Sequence, residues 1–93
     1  LHNFSVDKSF ICVGGISLKR GVTDFLIEEV LVERKMAEIA EKVFILADST
    51  KIENNSLIKI CDIENLDLII TDSKLDENIL KKYLENGIKI INR

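Results

Sequence analysis

The hydrophobic positions of the chain fall into short apolar runs that alternate with longer segments of helical spacing. Short apolar runs bounded by small polar residues predict strands of a parallel sheet, which are buried on both faces. The predicted strands comprise residues 9–13, 43–47, 66–70 and 88–91, with a short alternating segment at 57–61, and the predicted helices comprise residues 24–42 and 76–86. This alternation predicts an α/β domain with a mostly parallel sheet of about four to five strands and helices packed on it, a Rossmann-like three-layer arrangement.

Local signals predict where the helices begin and end. Asp76 is suited to cap the second helix, and Gly87 follows it at a position that favours a left-handed residue. Thr23 or Asp24 is predicted to cap the first helix. One stripe of that helix, at about 100° per residue, is predicted to face the sheet. Its members are Phe25, Val32, Met36, Ile39, Ala40 and Val43.

Composition narrows the class of protein. A chain of 93 residues with 46% hydrophobic and 31% charged residues is typical of one folded domain, residues 1–93. The net charge of −3 argues against nucleic-acid binding by this chain itself. No apolar stretch approaches the roughly 20 residues that a membrane span needs, so we expect no membrane partner and a cytoplasmic protein. Because the chain opens on Leu1 rather than Met, we expect that a tag or a natural segment upstream is missing.

The two cysteines do not indicate a metal site. Cys12 and Cys61 lie inside apolar runs without a CxxC motif or a neighbouring histidine. We therefore expect buried free thiols, and no metal or cofactor.

The run VFILADSTK, residues 43–51, indicates a binding site because an apolar strand stops abruptly at polar residues. In open α/β sheets, ligands bind outside the carboxyl ends of the strands. Lys51 would provide a point charge for phosphate there. The sequence therefore predicts a site for a small anion.

Two acidic residues of the first helix are further candidates. Helical projection places Glu29 within the apolar stripe and Glu33 at its margin, so both carboxylates are predicted to lean toward the sheet. Burial of a carboxylate is costly without a partner, which favours a role in a site. The alternative is that both face solvent near the start of the helix, where the helix dipole alone stabilises them.

Gly14, Gly15 and Gly21 lie between the first strand and the first helix. Glycines permit close approach of the backbone, and free amides there could cradle an anion. A purely structural turn explains them equally well. Thr71 and Asp72 end the third long apolar run at the same edge, although ordinary turn chemistry also accounts for them.

Three segments in order carry a family resemblance: DKSFICVGGISLKRGVT, EEVLVERKMAEIAEKVFILADSTK and DLIITD. Together they resemble the carboxyl-terminal half of the effector-sensing domain of DeoR-type bacterial transcription regulators. The resemblance covers residues 7–91. It implies a domain that senses a phosphorylated sugar or related metabolite, in a homo-oligomeric protein that binds DNA only through a winged helix-turn-helix missing here.

The resemblance also implies roles for individual residues. Lys51 would pair with a phosphate or hydroxyl oxygen, and Asp48 and Ser49 would orient the lysine and accept sugar hydroxyls. Gly14 and Gly15 would let backbone amides approach the ligand. The first half of the pocket would lie upstream of this chain.

Two alternatives remain open. The sensor domains are similar in fold to ribose-5-phosphate isomerase, and Glu33 precedes Lys51 at the spacing of the isomerases' glutamate base and lysine. Because the acids of the isomerases' first motif are absent, this pattern favours binding without turnover, and the chain is not expected to be an enzyme. The third possibility is a dimerisation domain without a ligand.

Overall fold

The protein is described here by a computed structural model over residues 6–93. Its strands are β1 Val6–Cys12, β2 Gly15–Ser17, β3 Gly21–Asp24, β4 Ala40–Leu46, β5 Ile58–Cys61, β6 Leu68–Thr71 and β7 Ile90–Asn92. The α-helices are α1 Ile27–Ile39 and α2 Glu77–Glu85, and two short 3₁₀ helices span Ser49–Lys51 and Ile63–Asn65. The predicted alternation of strands and helices is confirmed, but two short strands, β2 and β3, occupy the segment that the sequence presents as a glycine-containing loop.

The larger sheet has the strand order β1-β4-β6-β7, and every neighbouring pair is parallel. The predicted α/β fold with a mostly parallel sheet is therefore confirmed. Because the strands are parallel, their carboxyl ends meet at one edge. Phe10 of β1 pairs with Phe44 of β4, and their rings pack edge to face with centroids 5.1 Å apart. This contact helps to fix the register of the two strands.

Burial alternates along the strands of this sheet. On one face the side chains are buried, as at Ile11, Val43, Ile45 and Ile69. The intervening residues are half-buried or exposed: Phe10, Cys12, Phe44, Leu46, Leu68 and Ile70. Burial on both faces, which the apolar runs predict, is thus complete on one face only.

A second, three-stranded antiparallel sheet has the order β2-β3-β5. Thr23 of β3 joins β2 to the loop that precedes β5, because its fully buried hydroxyl donates to Gly15 O (3.2 Å) and accepts from Ser56 N (2.8 Å). This sheet was not predicted as a unit, since its strands are short and α1 and β4 separate β5 from β2 and β3 in sequence. Its strands β3 and β5 contact α1, as do β1 and β4 of the larger sheet.

Helix α1 differs from its predicted form. It begins at Ile27, and its N-cap residue, Leu26, makes no side-chain capping hydrogen bond, so the predicted cap at Thr23 or Asp24 is wrong. The buried residues of the helix are Val30 and Glu33. Phe25 and Val32 of the predicted stripe are 57% and 60% exposed, and Ala40 and Val43 belong to β4. Apolar residues lie on several sides of this helix, so their spacing did not identify the buried side.

The second helix follows its local signals. The Asp76 carboxylate accepts hydrogen bonds from Asn78 N (2.8 Å) and Ile79 N (3.2 Å), and Gly87 follows the helix with a φ of 79°. Tyr83 is its fully buried residue. The predicted cap and the predicted left-handed glycine are confirmed.

Replacement of Asp76 by alanine is expected to lower the free energy of unfolding by about 1 kcal/mol, because two amides of the first turn lose their acceptor. Urea denaturation measures this change. Asp76→Asn keeps an acceptor oxygen and serves as the control. Equal losses in the two variants would contradict the capping role.

Candidate functional site

A crevice of about 410 Å³ lies along the carboxyl edge of the parallel sheet. Its lining comes from the ends of β1, β4 and β6, from the turn after β4, and from the end of the chain: Cys12, Val13, Leu46, Ala47, Asp48, Lys51, Ile70, Thr71, Asp72 and Arg93. The sheet topology thus brings Lys51 and Asp48 together with Thr71 and Asp72. This position agrees with the usual location of ligands in α/β proteins.

A network of hydrogen bonds holds the corner after β4. The Asp48 carboxylate caps the 3₁₀ helix Ser49–Lys51 by accepting from Thr50 N (2.9 Å) and from the Thr50 hydroxyl. Asp72 accepts from Ser49 N (3.0 Å) and Lys74 N (2.9 Å). Hydrogen bonds from Thr50 lower the pKa of Asp48, and those from the Ser49 and Lys74 amides lower the pKa of Asp72. Both carboxylates are therefore ionised at neutral pH, and both stabilise the corner.

Two cationic side chains line the crevice, Lys51 and Arg93. Neither makes an ion pair within 4.0 Å in the part of the chain that the structure describes. The buried Thr71 Oγ1 also lacks a hydrogen-bond partner among residues 6–93. Because a buried hydroxyl normally has a partner, Thr71 is suited to a ligand that brings one. Cations and hydroxyls are the groups that bind oxyanions.

The two candidate glycines have packing roles in the structure. A Cβ at Gly14 would lie 2.8 Å from Asp24 Oδ1, and one at Gly15 would overlap Asn54 O and lie 2.9 Å from Thr23 Oγ1. The Gly14 amide already donates to Thr23 O (3.2 Å). Neither glycine lines the crevice, so a ligand contact at their amides stays a prediction.

Glu33 forms a buried pair with Asp24. Glu33 is 9% exposed and Asp24 is 4% exposed, and their carboxyl groups lie close together. Burial raises the pKa of Glu33 to about 8, and the neighbouring carboxyl groups of Asp24 and Glu29 contribute further. Glu33 is therefore protonated at neutral pH. Its Oε1 is buried without a hydrogen-bond partner among the described residues.

The two candidate acids of α1 thus have different surroundings. Glu33 is buried as predicted, whereas Glu29 is exposed. Both line a second cavity of about 490 Å³ beside β1 and α1. Cys12, at the end of β1, lines both this cavity and the crevice.

The predicted burial of the cysteines is wrong for Cys12, which is exposed. Cys61 is half-buried, and burial raises its pKa to about 11, so it is an unreactive thiol at neutral pH. Within residues 6–93, no three His, Cys, Asp or Glu side chains are grouped so as to hold a metal ion.

A third cavity, of about 520 Å³, lies between α1 and β5. Its polar groups bind one another: the Arg34 guanidinium donates to Lys59 O (2.6 Å and 3.0 Å), and the Lys59 ammonium pairs with Asp62. The crevice at the carboxyl edge offers cations without such partners, and it is therefore the candidate site.

Sequence reasoning missed Arg93 and the role of Asp24. The signal for Arg93 was available, because it lies two residues after the predicted last strand, residues 88–91, and is expected at the carboxyl edge if that strand is parallel. Asp24 gave no such signal, since its contact with Glu33 depends on the packing of α1 against β3.

The fold and the crevice define a small α/β domain of the kind that binds ligands at the carboxyl ends of parallel strands. The family model described as "DeoR C terminal sensor domain" matches residues 1–73. The chain therefore belongs to the DeoR family of transcription regulators and lies in their sensor domain. No helix within residues 6–93 is long and apolar enough to cross a membrane.

Similar proteins are transcription regulators of several microorganisms. The chain is 34% identical over 91 residues to a putative aga operon transcriptional repressor of Escherichia coli O157:H7, covering 98% of this chain and 34% of that protein. It is 33% identical over 90 residues to the HTH-type transcriptional regulator GolR of Listeria innocua, covering 97% and 35%. It is 37% identical over 86 residues to the L-fucose operon activator of Haemophilus influenzae, covering 91% and 32%. The chain thus spans about a third of the length of these curated relatives.

Proposed function

We propose that this chain is the effector-binding part of a DeoR-family regulator and that it binds a phosphorylated sugar or related metabolite in the carboxyl-edge crevice. The observation that supports this most directly is the position of Lys51, which lines the crevice and has no ion-pair partner in residues 6–93. Arg93 would contribute a second positive charge to the phosphate. A phosphate group pairs well with one point charge and one planar guanidinium.

Hydroxyl recognition would come from the acceptors and donors around the same crevice. The Thr71 hydroxyl has no hydrogen-bond partner among the described residues. At Asp48, Thr50 donates both of its hydrogen bonds to Oδ1 and none to Oδ2. Ser49 would act through the corner it forms with Asp72 rather than as a separate ligand. A sugar that carries several hydroxyls fits this mixture of groups.

The proposal places DNA binding outside this chain. The net charge of −3 leaves no general excess of cations for a phosphate backbone. Relatives about three times as long include proteins named HTH-type regulators, which supports a helix-turn-helix in the rest of the natural protein. The whole protein would be a cytoplasmic homo-oligomer. Effector binding would change its DNA affinity by favouring one of two arrangements.

We further propose that the domain binds its ligand without catalysing a reaction. The isomerase alternative requires Glu33 to accept a proton. Glu33 is buried beside Asp24 and is absent from the lining of the crevice in which the sugar phosphate would bind. Turnover of pentose phosphates that disappears in Glu33→Gln would support the isomerase instead.

Calorimetric titration of the purified protein with a panel of sugar phosphates tests the binding site. Lys51→Ala is expected to weaken binding about tenfold or more, because a charge-assisted hydrogen bond to phosphate is lost. Lys89→Ala is the matched control, since Lys89 is an exposed lysine before the amino end of β7. Unchanged affinity in Lys51→Ala would remove the lysine from the site, and the absence of any binding would favour the ligand-free dimerisation domain.

A further inference from the structure

Glu53 has an unusual backbone conformation for its residue type. Its φ is 64°, and it is the one non-glycine residue with a positive φ in the part of the chain described. Left-handed backbone is unfavourable for a glutamate and persists only where the surroundings impose it. The contacts of Glu53 should therefore explain why the chain takes this shape here.

Four hydrogen bonds fix Glu53 to the rest of the domain. Its amide donates to Ile16 O (2.7 Å), and its Oε2 accepts from the Tyr83 hydroxyl (2.6 Å) and from Leu18 N (3.2 Å). Its Oε1 accepts from the Lys82 ammonium at 2.9 Å. Glu53 therefore connects the segment after β4 to α2 and to the strand β2.

The carboxylate of Glu53 is held in its charged form. Burial alone would raise its pKa, but the hydrogen bonds from Tyr83, Lys82 and Leu18 N outweigh burial and lower the pKa. Tyr83, which is fully buried, provides a rigid partner. Replacement of the Glu53 carboxylate by a neutral amide should therefore weaken the hydrogen bonds that connect Glu53 to α2 and β2.

Lys51 lies two residues before Glu53, on a segment fixed at both ends. On one side Ser49 N is bound by Asp72, and on the other side Glu53 is bound by Tyr83 and Lys82. Between them Lys51 N donates to Asp48 O at 3.0 Å, and Ile52 is buried. The backbone that carries the lysine therefore has little freedom to turn away from the crevice.

We infer that Glu53 is a positioning residue for the effector site, which holds the Lys51 ammonium at the crevice by fixing the Lys51 segment to α2 and β2. The inference rests on the proposed function of the crevice and adds to it. It also makes α2 a structural support of a binding site from which its own residues are absent.

Titration of the purified protein with inorganic phosphate, followed by ³¹P NMR at a temperature where every variant is folded, tests this role. Glu53→Gln is expected to weaken phosphate binding about fivefold or more, although the side chain at this position does not line the crevice. Glu64→Gln, at an exposed glutamate of the second 3₁₀ helix, is the matched control and should bind as the wild type does. Tyr83→Phe, which removes the hydroxyl that donates to Glu53 Oε2 and to Ile16 O, should also lower the affinity and replaces Glu53→Gln if that variant does not fold.

A double-mutant cycle separates positioning from a general loss of stability. In the Lys51→Ala background, Glu53→Gln, or Tyr83→Phe in its place, is expected to cause no further loss of phosphate affinity, because it acts through the lysine. A lower urea midpoint with unchanged phosphate affinity, or an equal loss of affinity in both backgrounds, would overturn the inference. If Lys51→Ala itself binds phosphate as the wild type does, or if the wild type does not bind it, the proposed function fails and the inference with it.

Discussion

Replacement of Gly21 by alanine is expected to lower the free energy of unfolding by about 3 kcal/mol, for two additive reasons. Gly21 begins β3 with a φ of 83°, a conformation that alanine adopts at a cost. A Cβ there would also overlap Cys61 O and lie 3.0 Å from Asp62 Cα. Both are backbone atoms, since Cys61 is the last residue of β5 and Asp62 follows it. Because backbone cannot rotate away as a side chain can, the smaller sheet must shift. Urea denaturation monitored by circular dichroism measures the loss.

Gly87 provides a matched control for this experiment. Its φ of 79° is almost the same, but no heavy atom lies within 4 Å of the position that a Cβ would take. Gly87→Ala should therefore show the backbone cost alone, about 1 kcal/mol. Equal losses in the two variants would mean that the contact between β3 and β5 is looser than the structure shows.

Stability is expected to fall as the pH rises from about 5 to about 8, because of Glu33. The pKa of Glu33 is raised from 4.5 to about 8 in the folded protein, chiefly by burial. Over this interval the folded state keeps a proton that the unfolded state has released, so each rise in pH favours unfolding. The stabilisation is complete below pH 4.5 and is lost as the pH passes through the folded pKa. Its size is on the order of 3 kcal/mol.

Glu33→Gln tests this prediction because glutamine keeps the shape of the side chain but cannot ionise. Urea midpoints from about pH 5 to about pH 9 should decrease for the wild type and change much less for the variant, so that the variant gains stability relative to the wild type as the pH rises from about 5 to about 8. Glu41→Gln, at an exposed glutamate of β4, should retain the wild-type profile. Parallel profiles of wild type and Glu33→Gln, or an NMR titration that places the Glu33 carboxyl near its ordinary value of 4.5, would refute the buried protonated acid.

The parts of the fold that could be predicted are those with local causes. Asp76 and Gly87 act within one turn of α2, so their sequence context was enough to define that helix. The strands of the parallel sheet were visible because each is a short apolar run. The smaller sheet was not visible, since the pairing of β3 with β5 joins residues on either side of α1 and β4. No local pattern records a pairing of that kind.

In the candidate site, too, the residues with a local sequence signal were predicted and those that depend on long-range packing were not. The apolar strand followed by a polar turn placed Lys51 and Asp48 at the carboxyl edge, where the crevice lies. The burial of Glu33 was predicted, but its proximity to Asp24 was not, because helical spacing did not reveal which side of α1 faces β3. Glu53 gave no signal at all, since its left-handed backbone and its bond to Tyr83 depend on the position of α2.

The junction between α1 and β4 has a mechanical consequence. Ile39 is the last residue of the helix and Ala40 the first of the strand, so no loop between them can absorb a displacement. The helix carries Glu33 beside one cavity, and the strand leads to Lys51 beside the other. A displacement of the helix would therefore pass directly to the first residues of the strand.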